Sequence, residues 1–210
     1  MALTRLGLNQ AINLATNTTG TLGVANGGTG LTSGTTDQFL KFTGSTTVAS
    51  AAVSAGISMA DQWRLTTTFQ GDANPIASNL ERVDTTGQGY IGSAMTQSSG
   101  IFTFPSTGVY KIEFNADCYR DGDTRYMTGY IYGTTDNSNY NIISANRLFI
   151  QRTDSNHTSN SLVTSTLFDV TSTSNCKVKF RAETENNSAY FYGNTDQNAT
   201  YMTFIRLGDT

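Results

Sequence analysis

Gly100-Ile-Phe-Thr-Phe-Pro-Ser-Thr-Gly-Val-Tyr110 is the stretch on which the reading of the fold turns. Phe102 and Phe104 sit two residues apart. After a Pro-Ser-Thr-Gly break the same alternation resumes at Tyr110 and runs through Ile112, Phe114, Ala116 and Cys118. Apolar residues at every second position mark strands buried on one face. Pro105 falls at a strand edge, where a missing donor does little harm, so the segment reads as the end of one strand and the start of the next.

Similar alternation extends in both directions. Strands are expected near Gln62–Phe69, Tyr90–Thr96, Gly100–Phe104, Val109–Tyr119, Tyr126–Tyr132, Asn141–Ile150, Leu162–Val170, Cys176–Ala182, Ala189–Tyr192 and Thr200–Leu207, with Asn/Asp/Ser/Gly-rich turns between them. Short strands at this spacing, without amphipathic helices, predict one antiparallel all-β sandwich or barrel over residues 59–210. Its expected core includes Phe102, Phe104, Tyr110, Ile112, Phe114, Cys118, Cys176, Val178 and Phe180. One register is attractive on charge. If Val109–Tyr119 and Cys176–Glu183 are antiparallel neighbours, Cys118 faces Cys176 and Phe114 faces Phe180. On the outer face Lys111 then meets Glu183, Glu113 meets Arg181, and Asp117 meets Lys177. Cross-strand opposite charges of this kind favour one register.

Residues 1–58 differ in character. Their only charged side chains are Arg5, Asp37 and Lys41, and their only aromatics are Phe39 and Phe42. Such a segment buries too little apolar surface to fold alone, and it reads as an extended arm or linker. Leu6, Leu8, Ile12 and Leu14 have the spacing of one or two helical turns, and Gly27, Gly28 and Gly30 make an irregular link. Across the chain, 14% of residues are charged, against about 25% in a typical soluble domain. The net charge of −3 argues against nucleic-acid binding. No apolar run approaches the ~20 residues of a membrane span, and Met1–Gln10 lacks the layout of a signal peptide.

Ser99-Gly-Ile-Phe-Thr-Phe-Pro-Ser-Thr-Gly-Val-Tyr-Lys-Ile-Glu-Phe114 resembles the signature of the globular head of the complement recognition component and its relatives, and Ala199–Leu207 is similar to that family's closing strand. The resemblance covers residues 59–207. It implies a ten-stranded jelly roll related to tumour necrosis factor and a homotrimer. It also implies that the Gly-Val-Tyr strand neighbours Cys176–Ala182. The family's collagen stalk is absent, and Ser172-Thr-Ser-Asn175 replaces its usual acidic turn, so the match is to the fold rather than to the complement function.

Thr19-Gly-Thr-Leu-Gly-Val-Ala-Asn-Gly-Gly-Thr-Gly30 looks like a motif recurrent in tail fibres and other appendages of tailed bacteriophages, and Thr36–Ser45 is similar to the segment that often follows it. This resemblance implies a virion protein assembled in the host cytoplasm and displayed on the particle surface. Residues 1–58 would dock on tail or capsid proteins, and a trimeric head would contact a host glycan or protein during adsorption. The alternatives are a capsid decoration or head-fibre protein without a receptor role, and a secreted complement-like recognition protein.

Little points to catalysis. His157, the single histidine, lies in a loop, and two cysteines with one histidine do not make a structural zinc site. No cofactor is expected. Asp121 and Asp123, in Arg120-Asp-Gly-Asp-Thr124, are the candidate calcium ligands. Cys118 and Cys176 are expected to be reduced if the protein assembles in a bacterial cytoplasm, although adjacent strands would permit a disulfide. Tyr132, Tyr140, Tyr190 and Tyr192 flank Asn/Asp/Thr loops, a placement suited to sugar contact; packing in the core or between subunits is the competing reading.

Overall fold

The computed structural model describes residues 29, 31, 34–36, 38–45, 47–52, 56–153 and 156–210. Leu6, Leu8, Ile12, Leu14, Gly27, Gly28 and Gly30 lie outside the described residues. The chain divides into two units, Met1–Ala55 and Gly56–Thr210.

In the first unit, β1 (Gln38–Phe42) pairs antiparallel with β2 (Val48–Ala52), and Thr43 N–H donates to the Thr47 carbonyl at 3.0 Å in the turn. This hairpin corrects the expectation of an arm extended throughout. The intervening Gly44-Ser45 can reverse the chain, and Phe39, Leu40 and Phe42 supply strand-favouring side chains. All three remain exposed.

The second unit contains β3 (Met59–Leu65), β4 (Phe69–Gln70), β5 (Leu80–Arg82), β6 (Thr96–Ser98), β7 (Ile101–Thr103), β8 (Gly108–Arg120) and β9 (Thr124–Thr134). It continues with β10 (Asn141–Ile150), β11 (Thr158–Val170), β12 (Lys177–Thr184), β13 (Tyr190–Phe191) and β14 (Tyr201–Gly208). One sheet has the order β4-β13-β8-β14-β3-β5, with β11 along the other edge of β8; the second has the order β10-β9-β12-β7-β6. All pairings are antiparallel. The long strands stand where alternation places them. The expected Tyr90–Thr96 strand does not form; Ile91 makes only an isolated bridge to Ala60. The additional strands, β4, β5 and β6, have two or three residues each, too short for periodicity to reveal.

The inner faces of both sheets meet in an aromatic layer. Phe102 of β7 contacts Trp63 edge-on at 5.6 Å, Phe180 edge-on at 5.5 Å, and Phe204 at 5.1 Å between ring centroids. Phe114 reaches Phe180 at 5.3 Å, and Phe104 packs on Tyr110 at 4.7 Å. Each expected core residue, from Phe102 to Phe180, is buried. The opening motif ties this layer together. Gly100 has φ 78°, and a Cβ there would lie 2.2 Å from the Ile76 carbonyl oxygen. Gly108 has φ 136°, with the Gly208 carbonyl oxygen 2.5 Å from the same virtual atom. Between them the Tyr110 hydroxyl donates to the Ser106 carbonyl at 2.9 Å, holding the turn against the start of β8.

The proposed register between β8 and β12 is wrong, as is the adjacency implied by resemblance. β8 pairs with β11, β13 and β14, whereas β12 pairs with β9 and β7. Phe114 and Phe180 do meet, but across the sandwich. Alternation records only which residues face the core, and strands from opposing sheets satisfy it as well as neighbours in one sheet. The expected charge pairs are therefore absent: Lys111 bonds Glu113 at 3.1 Å, and Arg181 bonds Glu183 at 2.9 Å, on opposite outer faces. Cys118 faces no Cys176 in a ladder, and both thiols are free and buried.

Burial, reinforced by the Asp117 carboxylate, pushes the Cys118 thiol well above its ordinary pKa. Neutral Cys118 is thus favoured in the folded state, and its contribution to stability is full below the ordinary thiol value of about 8.5 and declines as pH rises above it. Near pH 8 neither cysteine should react with iodoacetamide until urea unfolds the head, when both should; labelling of the native protein at the rate of a free thiol would contradict this packing. Phe102→Ala should destabilise the head by about 3–5 kcal/mol in urea titration, because it opens a cavity between three aromatic partners.

Candidate functional site

The outer face of the five-stranded sheet is assembled from alternate positions of β9, β10 and β12. In β12, Val178, Phe180, Ala182 and Thr184 are buried, which turns Lys177, Lys179, Arg181 and Glu183 outward. In β9, Met127 and Ile131 enter the core and Tyr126, Tyr130 and Tyr132 stand half-buried on the outside. The ladder places Lys179 opposite Tyr132 and Arg181 opposite Tyr130, and on the other side of β9 it places Arg147 opposite Thr128.

These neighbours form a lattice of cations and rings. Arg181 lies 5.1 Å over the Tyr130 ring, and Arg147 lies 4.7 Å over Tyr126. The Lys179 ammonium lies between Tyr132, at 5.4 Å, and Tyr140, at 4.8 Å. Arg181 donates to the Tyr132 hydroxyl at 3.3 Å, Arg147 Nε donates to Thr128 Oγ1 at 3.0 Å, and the Tyr130 hydroxyl donates to the Glu183 carboxylate. Burial, then the Glu183 carboxylate, push the Tyr130 hydroxyl up, and burial does the same for Tyr140. The bond to Tyr132 raises Arg181 further. Tyr130 and Tyr140 therefore stay neutral and Arg181 stays charged across the neutral range. A shallow concavity of about 340 Å³ opens among Thr128, Tyr130, Ala145, Asn146 and Arg147.

Tyr140 is set by the turn before it. The Asp136 carboxylate accepts from Thr134 Oγ1 at 2.8 Å, Ser138 N–H at 2.9 Å, Asn139 N–H at 2.8 Å and Asn139 Nδ2 at 2.7 Å. Asn137 N–H donates to the Asn175 carbonyl at 2.9 Å, joining this turn to the one before β12. The Asn139 side chain, followed by the backbone donors, holds the Asp136 carboxyl far below the usual carboxylate range.

A second aromatic group lies on the other sheet. Tyr119 stacks on Tyr190 at 4.8 Å and 7°, with Tyr192 at 6.2 Å and the exposed His157 at 4.9 Å. A polar concavity of about 520 Å³ is lined by Asp117, Ser159, Asn160, Ser161, Asn198 and Ala199. Burial raises the Asp117 carboxyl. The four tyrosines singled out in the sequence thus divide between two surfaces, Tyr132 and Tyr140 on one and Tyr190 and Tyr192 on the other, and none belongs to the core. Tyr126, Tyr130 and the cations beside them escaped sequence reasoning, because their partners lie up to about fifty residues away.

Several other charged groups are engaged structurally. Buried Arg64 bonds Glu81 at 2.8 Å, Asp84 at 2.7 Å, Thr85 at 2.8 Å and Gln88 at 3.1 Å, fastening the loop after β5. Buried Asp61 accepts from Arg82 at 3.0 Å and from Met95 N–H at 2.9 Å. Asp121 pairs with Arg152 at 3.4 Å, and Asp123 Oδ1 accepts the Arg152 N–H at 2.7 Å. Among the described residues no group of three or more His, Cys, Asp or Glu gathers within metal-binding reach. Asp121 thus faces the Arg152 guanidinium and Asp123 the Arg152 backbone N–H, whereas calcium takes six to eight oxygens.

Neither a protein-family model nor a curated protein matches the chain. Among solved structures, Eiger TNF from S. frugiperda is similar at 14% identity and a TM-score of 0.54, over 74% of this chain and 96% of that one. Murine APRIL aligns at 12% identity and a TM-score of 0.47, over 71% and 98% of the respective chains. The likeness to Eiger establishes the fold: the head is a jelly roll of the tumour necrosis factor type.

The Asp136 network should be visible in a carboxyl NMR titration. A depressed folded pKa stabilises the turn above the ordinary aspartate value and is lost only as pH falls through the folded one, so the Asp136 signal should stay unmoved through about 3.9. A midpoint at that value would show that the turn does not form, and Asp136→Ala should shift the resonances of residues 134–140.

Proposed function

We propose that the chain is a non-enzymatic structural protein of a bacteriophage virion, a trimeric tail fibre or spike. Residues 1–58 attach it to the particle, and the jelly-roll head contacts the host surface. The observation that carries this reading is the combination of a tumour necrosis factor-type head with the Gly/Thr-rich, charge-poor segment Thr19–Gly30. Self-association is supported by exposed apolar side chains on the two adjacent edge strands: Ile142 and Phe149 on β10 are 53% and 64% exposed, and Val163 and Leu167 on β11 are 47% and 64% exposed. Apolar groups concentrated along one edge favour burial against another surface. Three heads on each appendage, and several appendages on each particle, multiply weak contacts by effective concentration.

Deleting residues 1–58 should leave a folded trimer, by sedimentation, that no longer enters particles. A truncated head that unfolds or stays monomeric would refute the division of labour. Particles that lack the protein yet adsorb normally would favour a decoration role on the capsid instead.

A further inference from the structure

We infer that the outer face of the five-stranded sheet, centred on Tyr130, Tyr132, Tyr140, Arg147, Lys179 and Arg181, binds a polysaccharide that carries carboxylates. The inference deepens the host-surface role proposed above and rests on it for its biological meaning, although the site itself stands on geometry.

The sign of the charge comes first. β9, β10 and β12 contain Arg125, Arg147, Lys177, Lys179 and Arg181, but Glu183 is their only acidic residue, in a chain of net charge −3. Cation density is therefore gathered on one sheet of an otherwise acidic protein. Moreover, the charge is left uncompensated at three of these five cations, since Arg181 pairs with Glu183 at 2.9 Å and Arg125 with Glu185. Among the described residues no carboxylate stands within ion-pair distance of Arg147, Lys177 or Lys179, whereas Arg64, Arg82, Arg125 and Arg206 all have acidic partners.

What holds Arg147 and Lys179 in place is aromatic. Tyrosine rings and the Thr128 hydroxyl orient these cations without neutralising them. An ion pair would have cancelled the charge; a cation–π contact keeps it available and lowers the ordering cost of binding. A guanidinium fork matches a carboxylate with two parallel bonds, and half-buried tyrosine offers both a flat apolar ring and a hydroxyl, which suits a sugar ring with its own polar edge. Outward positions along a strand repeat about every 6.6–6.8 Å, so Lys177, Lys179 and Arg181 present a linear row to a linear polymer. The concavity beside Tyr130 and Arg147 supplies a place where one unit can seat.

A neutral glycan would make no use of the unpaired cations. Nucleic acid is the competing polyanion, but an acidic protein with one short basic row lacks the extended positive field that phosphate backbones select.

The test uses the purified full-length protein and isothermal titration calorimetry with three probes: an oligogalacturonate, a neutral dextrin of equal length, and a single-stranded oligothymidylate. The oligogalacturonate should bind, and binding should weaken as salt rises. Lys179→Gln and Arg147→Gln should each weaken it by about fivefold with thermal melting unchanged. Tyr190→Ala, on the opposite sheet, should leave it intact. No binding of the oligogalacturonate, equal binding of the dextrin, tighter binding of the oligothymidylate, or loss only in Tyr190→Ala would each overturn the inference. If the oligogalacturonate binds as stated but particles lacking the protein adsorb normally, the site stands and the adsorption role falls.

Discussion

The contact between Phe102, Phe180 and Phe204 is the constraint on which the head depends. β7 and β12 bring two of these rings from one sheet, and β14 brings the third from the other. Sheets packed face to face stand about 10 Å apart, so large rings at these positions demand small partners elsewhere. β9 provides them: a Cβ on Gly129 would come within 2.9 Å of the Phe114 ring, and one on Gly133 within 2.9 Å of Phe168. The glycines lie on the inward face of β9, between the tyrosines that point out. One requirement, room for aromatics between the sheets, therefore fixes which side of β9 is bare and which carries the rings available for binding.

The same requirement explains what the sequence discloses. β8 and β12 are legible because their inward positions, Tyr110 to Cys118 and Val178 to Ala182, are filled by apolar residues in strict alternation. Adjacency is not legible by this means. Tyr110 to Cys118 and Cys176 to Ala182 share an inward pattern because they line one core from opposite sides, and four of the six charges that seemed to pair them, Lys111 with Glu113 and Arg181 with Glu183, are satisfied within their own sheets. The motif from Gly100 to Tyr110 escapes this ambiguity, because its information is local: two glycines wedged against neighbouring carbonyls and a hydroxyl bonded four residues back.

The binding surface was half legible. Alternation assigned Tyr132 to a strand, and Tyr140 was recognised as flanking an Asn/Asp/Thr loop. Their relation to Lys179, 47 residues after Tyr132 and 39 after Tyr140, depends on β12 lying beside β9, which is the adjacency that periodicity cannot supply. Cation–π pairs across a ladder leave no signature in sequence until the ladder is known. The β1–β2 hairpin was missed for another reason: β1 is exposed at every position and residues 48–51 of β2 are uniformly half-buried, so they lack the apolar alternation by which the head's strands are recognised.

The strength of this surface follows from its exposure. Charges in contact with water interact through a high dielectric and are screened within about 8–10 Å at ordinary salt, so one cation against one carboxylate yields about 1 kcal/mol or less. A row of a few cations with stacking rings remains a weak site in a single head. Weakness is useful where a particle must sample a surface before it commits, provided that copies act together. Ile142 faces Tyr132 in the ladder, so the apolar residues of β10 share the outer face with the cations, and a trimer contact through them would have to stop short of β9 and β12 to leave that face open; three such faces on one appendage would turn millimolar contacts into lasting attachment. The two surfaces thus have complementary demands: the apolar edge gains by being covered, and the cationic face works only while it is not.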